Sequence, residues 1–120
     1  MDNRPITIFC DIDGTLVEHF SPQIVSHPSH NMSVLPGTIE KFNEWDRKGY
    51  RIILTTGRKE SMRNQTVSQL SKAGIFYDHL IMGIGGGKRI LINDKKPYSD
   101  EDYAISINLK RNGGIGDINL

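Results

Sequence analysis

Three short apolar runs, each followed at once by polar or acidic residues, constrain the fold of this chain more than any other feature. The runs are PITIFC at 5–10, RIILT at 51–55 and RILIN at 89–93. Short runs rich in β-branched residues are typical of buried strands in a parallel sheet. The residues that follow them are Asp11 and Asp13, then Thr56 and Arg58, and then Asp94 with its neighbour Asn93.

Helical patterns separate the first two runs and follow the second. Pro36 suits the first turn of a helix, with Ile39, Phe42 and Trp45 turned inward and Gly49 as its stop. A second helix is predicted over 60–73, ending at Gly74. The alternation of strands and helices predicts an α/β fold, a Rossmann-like three-layer sandwich with a central, mostly parallel sheet.

The remaining segments are less regular, and together with these elements they are expected to form a single domain over 1–120. Residues 17–34 contain two prolines and no sustained period, which predicts an irregular flap. Residues 80–82 predict a short strand and 104–109 an edge strand. The glycine-rich end, 113–120, is expected to fray.

Charge and cysteine usage exclude several classes of protein. The formal net charge is +1, so no global attraction to nucleic acid or anionic lipid is expected. No apolar run approaches the roughly 20 residues of a membrane-spanning helix. Cys10 is the single cysteine and cannot form an intrachain disulfide, which suits a reducing compartment. We therefore expect a cytoplasmic protein.

The carboxyl ends of parallel strands share one edge of a sheet, where ligands bind. We therefore expect Asp11, Asp13 and Asp94 to meet there. Paired carboxylates repel each other unless a cation lies between them, and oxygen ligands suit Mg²⁺, with Asn93 as a neutral ligand or water-orienting group. Asp11 could then attack phosphorus as a nucleophile, while Asp13 serves as acid and base.

A transferred phosphoryl group also needs donors to meet its charge. Guanidinium groups bind phosphate in a two-pronged fashion, and a strand-end hydroxyl and an ammonium add further contacts. The residues expected to contact the substrate phosphate are Thr56, Gly57, Arg58, Arg63 and Lys88. Thr56 and Lys88 are expected to act in catalysis as well.

At this point the residues resemble a known family. Asp11 to Leu16 (DIDGTL) after an apolar strand resembles the first motif of the haloacid dehalogenase-like phosphatases, and Thr56 resembles their second motif. Lys88 and the pair Asn93-Asp94 stand roughly where the third and fourth motifs lie. The resemblance implies a Rossmann-like core, Mg²⁺, Asp11 as nucleophile, Asp13 as acid/base and as a metal ligand through its carbonyl, and Asp94 as the third protein ligand.

The sequence departs from that pattern in three ways, which leave alternatives open. Asn93 replaces an acidic residue, and Arg89, Lys95 or Lys96 could fill the place of Lys88. Only about 40 residues separate the first two motifs, too few for a folded cap domain. An open site makes a homo-oligomer plausible.

The expected function is Mg²⁺-dependent hydrolysis of a small phosphorylated metabolite, a sugar phosphate or a nucleotide. A phosphotransferase with the same nucleophile and a non-catalytic domain that binds a phosphorylated ligand are the alternatives. A zinc site at His19, His27 and His30 is disfavoured, because these residues lack the paired spacing of structural zinc ligands.

Overall fold

The computed structural model describes residues 2–120. Its strands are β1 (Thr7–Asp11), β2 (Arg51–Thr55) and β3 (His79–Ile81). Its helices are α1 (Pro22–Val25), α2 (Thr38–Arg47) and α3 (Arg63–Ala73), the last preceded by a 3₁₀ turn at Glu60–Met62. Helix α1 lies within residues 17–34, which were predicted to be irregular; the other elements confirm the predicted order of strands and helices as far as β3.

The strands form one parallel sheet in the order β1-β2-β3. Asp11 lies beside Thr55, and Thr55 lies beside Ile81, so all three strands end at the same edge. Successive crossovers in a parallel sheet are right-handed, and these two advance in the same direction, so α2 and α3 cover the same face. Burial agrees: Ile52 and Leu54 on one face of β2 are buried. The predicted α/β fold is thus present, and within residues 2–120 both longer helices lie on one side of the sheet.

The core lies between that face and the helices. Phe42 and Trp45 of α2 and Leu70 of α3 are each at most 1 % exposed, as the predicted helical faces require. The Thr38 hydroxyl donates a hydrogen bond of 2.8 Å to the carbonyl of Leu16, which fixes the start of α2 against the loop after β1. This bond holds the loop that carries the acidic residues.

The C-terminal residues pack into this core, so the prediction that 113–120 frays is wrong. Ile115 is 1 % exposed, and Ile118 and Leu120 pack against the same cluster. A side chain at Gly37, whose φ is +90°, would lie 2.5 Å from the Cα of Gly116. Glycine here allows two backbones to touch, whereas in the sequence it had indicated flexibility.

Residues 84–109, which we name the arm, contain no helix or strand. The predicted strands at 89–93 and 104–109 are therefore wrong for the single chain. Ile90 and Ile92 are 83 % and 90 % exposed, although their pattern is that of a buried strand. The radius of gyration is 15.2 Å, above the roughly 13.6 Å expected for a compact chain of this length. The arm thus leaves apolar strand-like sequence unpaired.

Among the described residues, we find no helix with the length and apolarity needed to cross a bilayer.

Candidate active site

Asp11 is the last residue of β1, and its carboxylate lies at the rim of a cleft. The Thr15 hydroxyl donates a hydrogen bond of 3.2 Å to Asp11 Oδ2. Gly14, with φ +85°, allows the chain to turn back so tightly that its N–H reaches the carbonyl of Val17 at 2.8 Å. Desolvation raises the pKa of Asp11, while the hydrogen bond from Thr15 and the charge of Arg89 act in the opposite direction. The nucleophile predicted from the sequence is therefore accessible and held in place.

Asp13 does not face the cleft as a free carboxylate, because Arg58 holds both of its oxygens. Arg58 Nε donates to Asp13 Oδ2 at 2.9 Å and Nη2 donates to Oδ1 at 2.8 Å. The other side of the guanidinium donates to Thr66 Oγ1 at 3.2 Å and to Gln69 Oε1 at 2.7 Å. Arg58 is buried, and its remaining N–H is the only one without such an acceptor among these contacts.

This arrangement bears on the phosphate-binding role predicted for Arg58. A guanidinium group with four of its five N–H donors engaged by protein oxygens has little left to offer a substrate. Its contacts favour a positioning role, in which the end of β2 fixes the acid that follows β1.

Thr56 and Gly57 follow β2 and lie beneath the segment 83–87. The Thr56 hydroxyl accepts a hydrogen bond of 3.1 Å from the N–H of Arg58, and the residue is buried. A Cβ at Gly57 would lie 2.9 Å from the carbonyl oxygen of Gly85. The glycine-rich segment therefore crosses the end of β2 in close backbone contact, which only glycine at 57 permits.

The two other predicted phosphate-binding residues lie differently. Arg63 pairs with Glu60 and donates to the carbonyl of Leu80 at 3.2 Å, so it ties the start of α3 to β3. Lys88 is exposed at the root of the arm. Arg89, next to it, is the arm residue whose charge acts on Asp11.

Asn93 and Asp94 lie on the arm and do not join the acidic pair in the single chain. Asp94 is an exposed side chain that pairs with Lys96 at 3.3 Å, and Lys96 in turn lies over the ring of Tyr103. The carboxyl ends of β1 and β2, which the sequence predicts at one edge of the sheet, do lie side by side. Asn93 and Asp94 stay apart from these ends because the strand predicted at 89–93 does not form.

The donor set matches Mg²⁺ in part. Asp11 offers carboxylate oxygen beside the backbone of Asp13, and hard oxygen ligands of this kind suit the ion. Within residues 2–120, no group of three His, Cys, Asp or Glu side chains comes close enough to hold a metal. Asp11 and the backbone of Asp13 thus offer oxygen donors at the end of β1, and Asp94 lies apart from them.

Sequence reasoning did not find Arg111, which lies in the same cleft. The cleft has a volume of about 200 Å³ and is lined by Asp11, Asp13, Gly14, Thr15, Leu109 and Arg111. The N–H of Asn112 donates to the carbonyl of Gly14 at 2.8 Å, and its side chain accepts from the N–H of His19 at the same distance. A lone arginine near the C-terminus carries no motif, so only the fold reveals that it faces the acidic loop.

The segment predicted as a flap is held against α3. Its two ends approach at Val17 and Val34, which form an isolated bridge. Gln65 Nε2 donates to the carbonyls of Ser26 and His27 at 2.8 and 3.1 Å, and Gln69 Nε2 donates to that of Val25 at 3.0 Å. Gln69 thus joins the flap to Arg58.

Solved structures resemble this fold, and no curated protein matches the sequence significantly. Chains in two structures of a Pnkp1/Rnl/Hen1 complex, one of them described as an RNA repair complex, are 27 % and 26 % identical, with TM-scores of 0.57 and 0.55. They cover 74 % and 80 % of this chain, which spans only 32 % and 28 % of theirs. A structure from Vibrio cholerae is 20 % identical with a TM-score of 0.52, over 73 % of this chain and 79 % of that one, and shows likeness of fold alone.

The family is shown by the sequence itself. The family model described as PITM 1-3, LNS2 domain, matches residues 8–100, well over half of the chain, and this stretch includes the acidic loop and the first part of the arm. The LNS2 domain has a haloacid dehalogenase-like phosphatase fold, in agreement with the sheet and the strand ends described above. The chain therefore belongs to the family described as PITM 1-3, LNS2 domain.

Proposed function

We propose that this chain is a Mg²⁺-dependent phosphomonoester hydrolase that forms an aspartyl-phosphate on Asp11. The observation that carries the proposal is the position of Asp11 at the end of β1, on the rim of an open cleft, two residues before an acid held by a buried arginine. Family membership supports a phosphatase fold. The Thr15 hydroxyl bonds to this carboxylate and Arg111 lines the same cleft, and donors of this kind suit phosphoryl transfer.

In the proposed first step, an oxygen of Asp11 attacks phosphorus, and the bond from phosphorus to the substrate oxygen breaks. The Thr15 hydroxyl orients the attacking carboxylate through its bond to Oδ2. Arg111 lines the cleft and the charge of Arg89 acts on Asp11, so both would offset the charge of a phosphoryl group on Asp11. The departing oxygen receives a proton, either from Asp13 in its acid form or from water.

In the second step, water attacks phosphorus, phosphate leaves, and the Asp11 carboxylate is restored. Asp13 accepts the proton of this water. The two hydrogen bonds from Arg58 hold the Asp13 carboxylate in a fixed position next to the cleft. For each proton transfer, Asp13 gives up part of its contact with Arg58. The strength of the Asp13–Arg58 pair therefore affects the rate of that transfer.

Mg²⁺, when bound, would offset the negative charge of the acidic loop and of the substrate phosphate. Asp11 and the carbonyl of Asp13 would hold it, with Asp94 as a third ligand and Asn93 as a neighbouring amide. Lys88 and Thr56 remain the proposed groups for the phosphoryl oxygens.

A small phosphorylated metabolite is the proposed substrate. A cleft of about 200 Å³ admits a phosphate group and a few more atoms, and the net charge of +1 gives no broad surface attraction for a polyanion. One of the similar structures is an RNA repair complex, so a terminally phosphorylated oligonucleotide belongs in the substrate panel.

The proposal is tested by measuring phosphate release from an aryl phosphate and a panel of sugar phosphates, nucleotides and a terminally phosphorylated RNA, with and without Mg²⁺. Asp11→Asn should lower the rate by orders of magnitude, because an amide is not an effective nucleophile. Asp46→Asn, an exposed change on α2, is the matched control and should leave the rate unchanged. A folded Asp11→Asn protein that retains full activity would contradict the mechanism.

The same assay separates the alternatives. With an added alcohol such as glycerol, a phosphotransferase would shift product from free phosphate to a phosphorylated alcohol. A non-catalytic phosphate-binding domain would bind a phosphate analogue with Mg²⁺ and release no phosphate from any member of the panel.

A further inference from the structure

The free edge of β1 and the unpaired arm are complementary. In the sheet order β1-β2-β3, β1 has a neighbour on one side only. Phe9, in the middle of β1, is 54 % exposed, so the face of this edge strand that α2 and α3 do not cover is open and apolar. An exposed apolar edge strand is a template for another strand. The arm carries a strand-like run of the same length, five residues at 89–93, with Ile90 and Ile92 exposed.

The arm of the same chain cannot fill this edge in the parallel direction. Only residues 82–88 lie between the end of β3 and this run, whereas a parallel return needs a crossover of about ten to twelve residues or more. The return would also have to pass β2 and β1, about 14 Å across the sheet at the usual strand spacing. The connection is too short for a strand that delivers Asp94 beside Asp11.

The two ends of the arm lie at the cleft, whereas its middle part lies away from the cleft. Gly85 packs on Gly57 at the end of β2, and Leu109 lines the cleft with Asp11. In this middle part, Lys95 pairs with Asp102 at 3.4 Å. Close to it, the Tyr103 hydroxyl donates to the carboxylate of Asp2 at 2.9 Å, and Asp2 precedes β1. The arm therefore runs from the carboxyl edge of the sheet toward its amino edge, opposite to β1.

That direction fits a second copy of the chain. A two-fold axis perpendicular to the strands reverses their direction. Residues 89–93 of one copy run from the carboxyl edge of their own sheet toward its amino edge. They are therefore parallel to β1 of the second copy, and they end at the carboxyl edge of the second copy's sheet. Five extended residues span about 16 Å, which is the length of β1 itself. Asp94 would arrive beside the acidic loop where a third ligand is missing.

We propose that two copies of this chain exchange their arms, so that residues 89–93 of each add to the free edge of β1 in the other and Asp94 completes the partner's active site. The exchange buries Ile90 and Ile92 and pairs the backbone groups of 89–93. Within residues 85–109, the one backbone–backbone hydrogen bond runs from Ser99 N–H to the Lys96 carbonyl. The role of Asp94 in this proposal rests on the proposed function, whereas the exchange itself rests on the edge and the arm.

Mixed dimers test the exchange. Asp11→Asn and Asp94→Asn, carrying different tags, are purified alone and after co-expression. Each alone should be inactive, because both sites lack one acid. In a mixed dimer, one site combines Asp11 of the Asp94→Asn chain with Asp94 of the Asp11→Asn chain, and this site has both acids. Random pairing should therefore restore about a quarter of the wild-type rate. If each chain used its own Asp94, every site in the mixture would still lack one acid, and no activity would return.

Assembly gives a second readout that does not depend on catalysis. Light scattering of the wild type should give twice the chain mass of 13.5 kDa. Ile90→Asp combined with Ile92→Asp should give the monomer, because the charges would enter the joined sheet. Val67→Asp, an exposed apolar position on α3, is the matched control and should remain dimeric.

The outcomes separate the two proposals. A monomeric wild type would overturn the exchange. An inactive mixture in which tag capture shows mixed dimers, or full activity of Asp94→Asn alone, would overturn the part of the proposal in which Asp94 completes the partner's site. A dimer that Ile90→Asp/Ile92→Asp disrupts but that hydrolyses no phosphate ester would overturn the proposed function and leave the exchange standing. In that case titration with Mg²⁺ becomes the readout, and about a quarter of the wild-type sites should return in the mixture.

Discussion

Asp13 and Arg58 lie 45 residues apart in the chain, yet two hydrogen bonds of 2.9 and 2.8 Å join them at the edge of the sheet. This pair connects the loop after β1 to the loop after β2. Because Arg58 also reaches Thr66 and Gln69 of α3, a single buried side chain links three elements around the cleft.

Replacing Arg58 should therefore cost stability as well as activity. Arg58→Met leaves Asp13 without its partner, and breaking a buried pair in this way costs about 3 kcal/mol or more. Arg58→Lys keeps the charge but cannot reach all three partners, so its stability should fall between those of the wild type and Arg58→Met. Urea unfolding followed by fluorescence of Trp45, the single tryptophan and 1 % exposed, measures the effect. Arg47→Met, at an exposed position of α2, is the control, and an equal loss in Arg47→Met and Arg58→Met would contradict this account.

Gly57→Ala should impair catalysis more than folding. The new methyl group would lie 2.9 Å from the carbonyl oxygen of Gly85, so the glycine-rich segment must move away from the end of β2. Displacement of catalytic groups by about 1 Å can lower a rate about a hundredfold. Phosphate release is the measurement. Gly87→Ala, whose added methyl group would meet no described atom within 4 Å, should retain the wild-type rate.

Gly37→Ala should destabilise the protein through the C-terminal segment. The residue has a φ of +90°, where an alanine costs about 1 kcal/mol or more, and the methyl group would lie 2.5 Å from the Cα of Gly116. We expect a lower free energy of unfolding and faster proteolysis after residue 112, because the backbone that carries Ile115 would have to leave its place. Gly86→Ala has open space around it and a φ outside the left-handed region, and it should be nearly neutral. Equal proteolysis of both variants would count against close packing at Gly37.

Cys10 should be unreactive in the folded protein despite its position next to Asp11. Burial raises the pKa of its thiol from 9.0 to about 12, so the thiolate fraction at neutral pH falls by about a thousandfold. Reaction with a disulfide reagent should be slow in buffer and fast in urea. Because the folded state keeps this proton when the unfolded state releases it, the free energy of unfolding should decline as the pH rises above about 9. Native Cys10 that reacts as fast as a small thiol would show that the strand end is open.

The sequence was most informative where a pattern had one physical meaning. An apolar run followed by two acids predicted β1 and the site of Asp11, and the spacing of Phe42 and Trp45 predicted the buried face of α2. Arg58 was harder, because a guanidinium group suits a phosphate and a carboxylate equally well, and only the fold shows that Asp13 is within reach.

Other features depend on information that a single chain's sequence lacks. The glycines at 113, 114 and 116 suggested a loose end, yet Gly116 lies against Gly37 and lets Ile115 enter the core. The run at 89–93 has the composition of a strand, but composition does not say which edge it will join. Strand propensity is local, whereas pairing depends on connection length and on neighbours that are distant in the chain.

The two glutamine side chains of α3 have a consequence for the mobility of the segment predicted as a flap. The side-chain amides of Gln65 and Gln69 donate to the backbone carbonyls of residues 25–27, so this segment is fixed against α3. Residues 25–27 should then keep their position when a ligand binds in the cleft, and no swing of this segment should accompany binding.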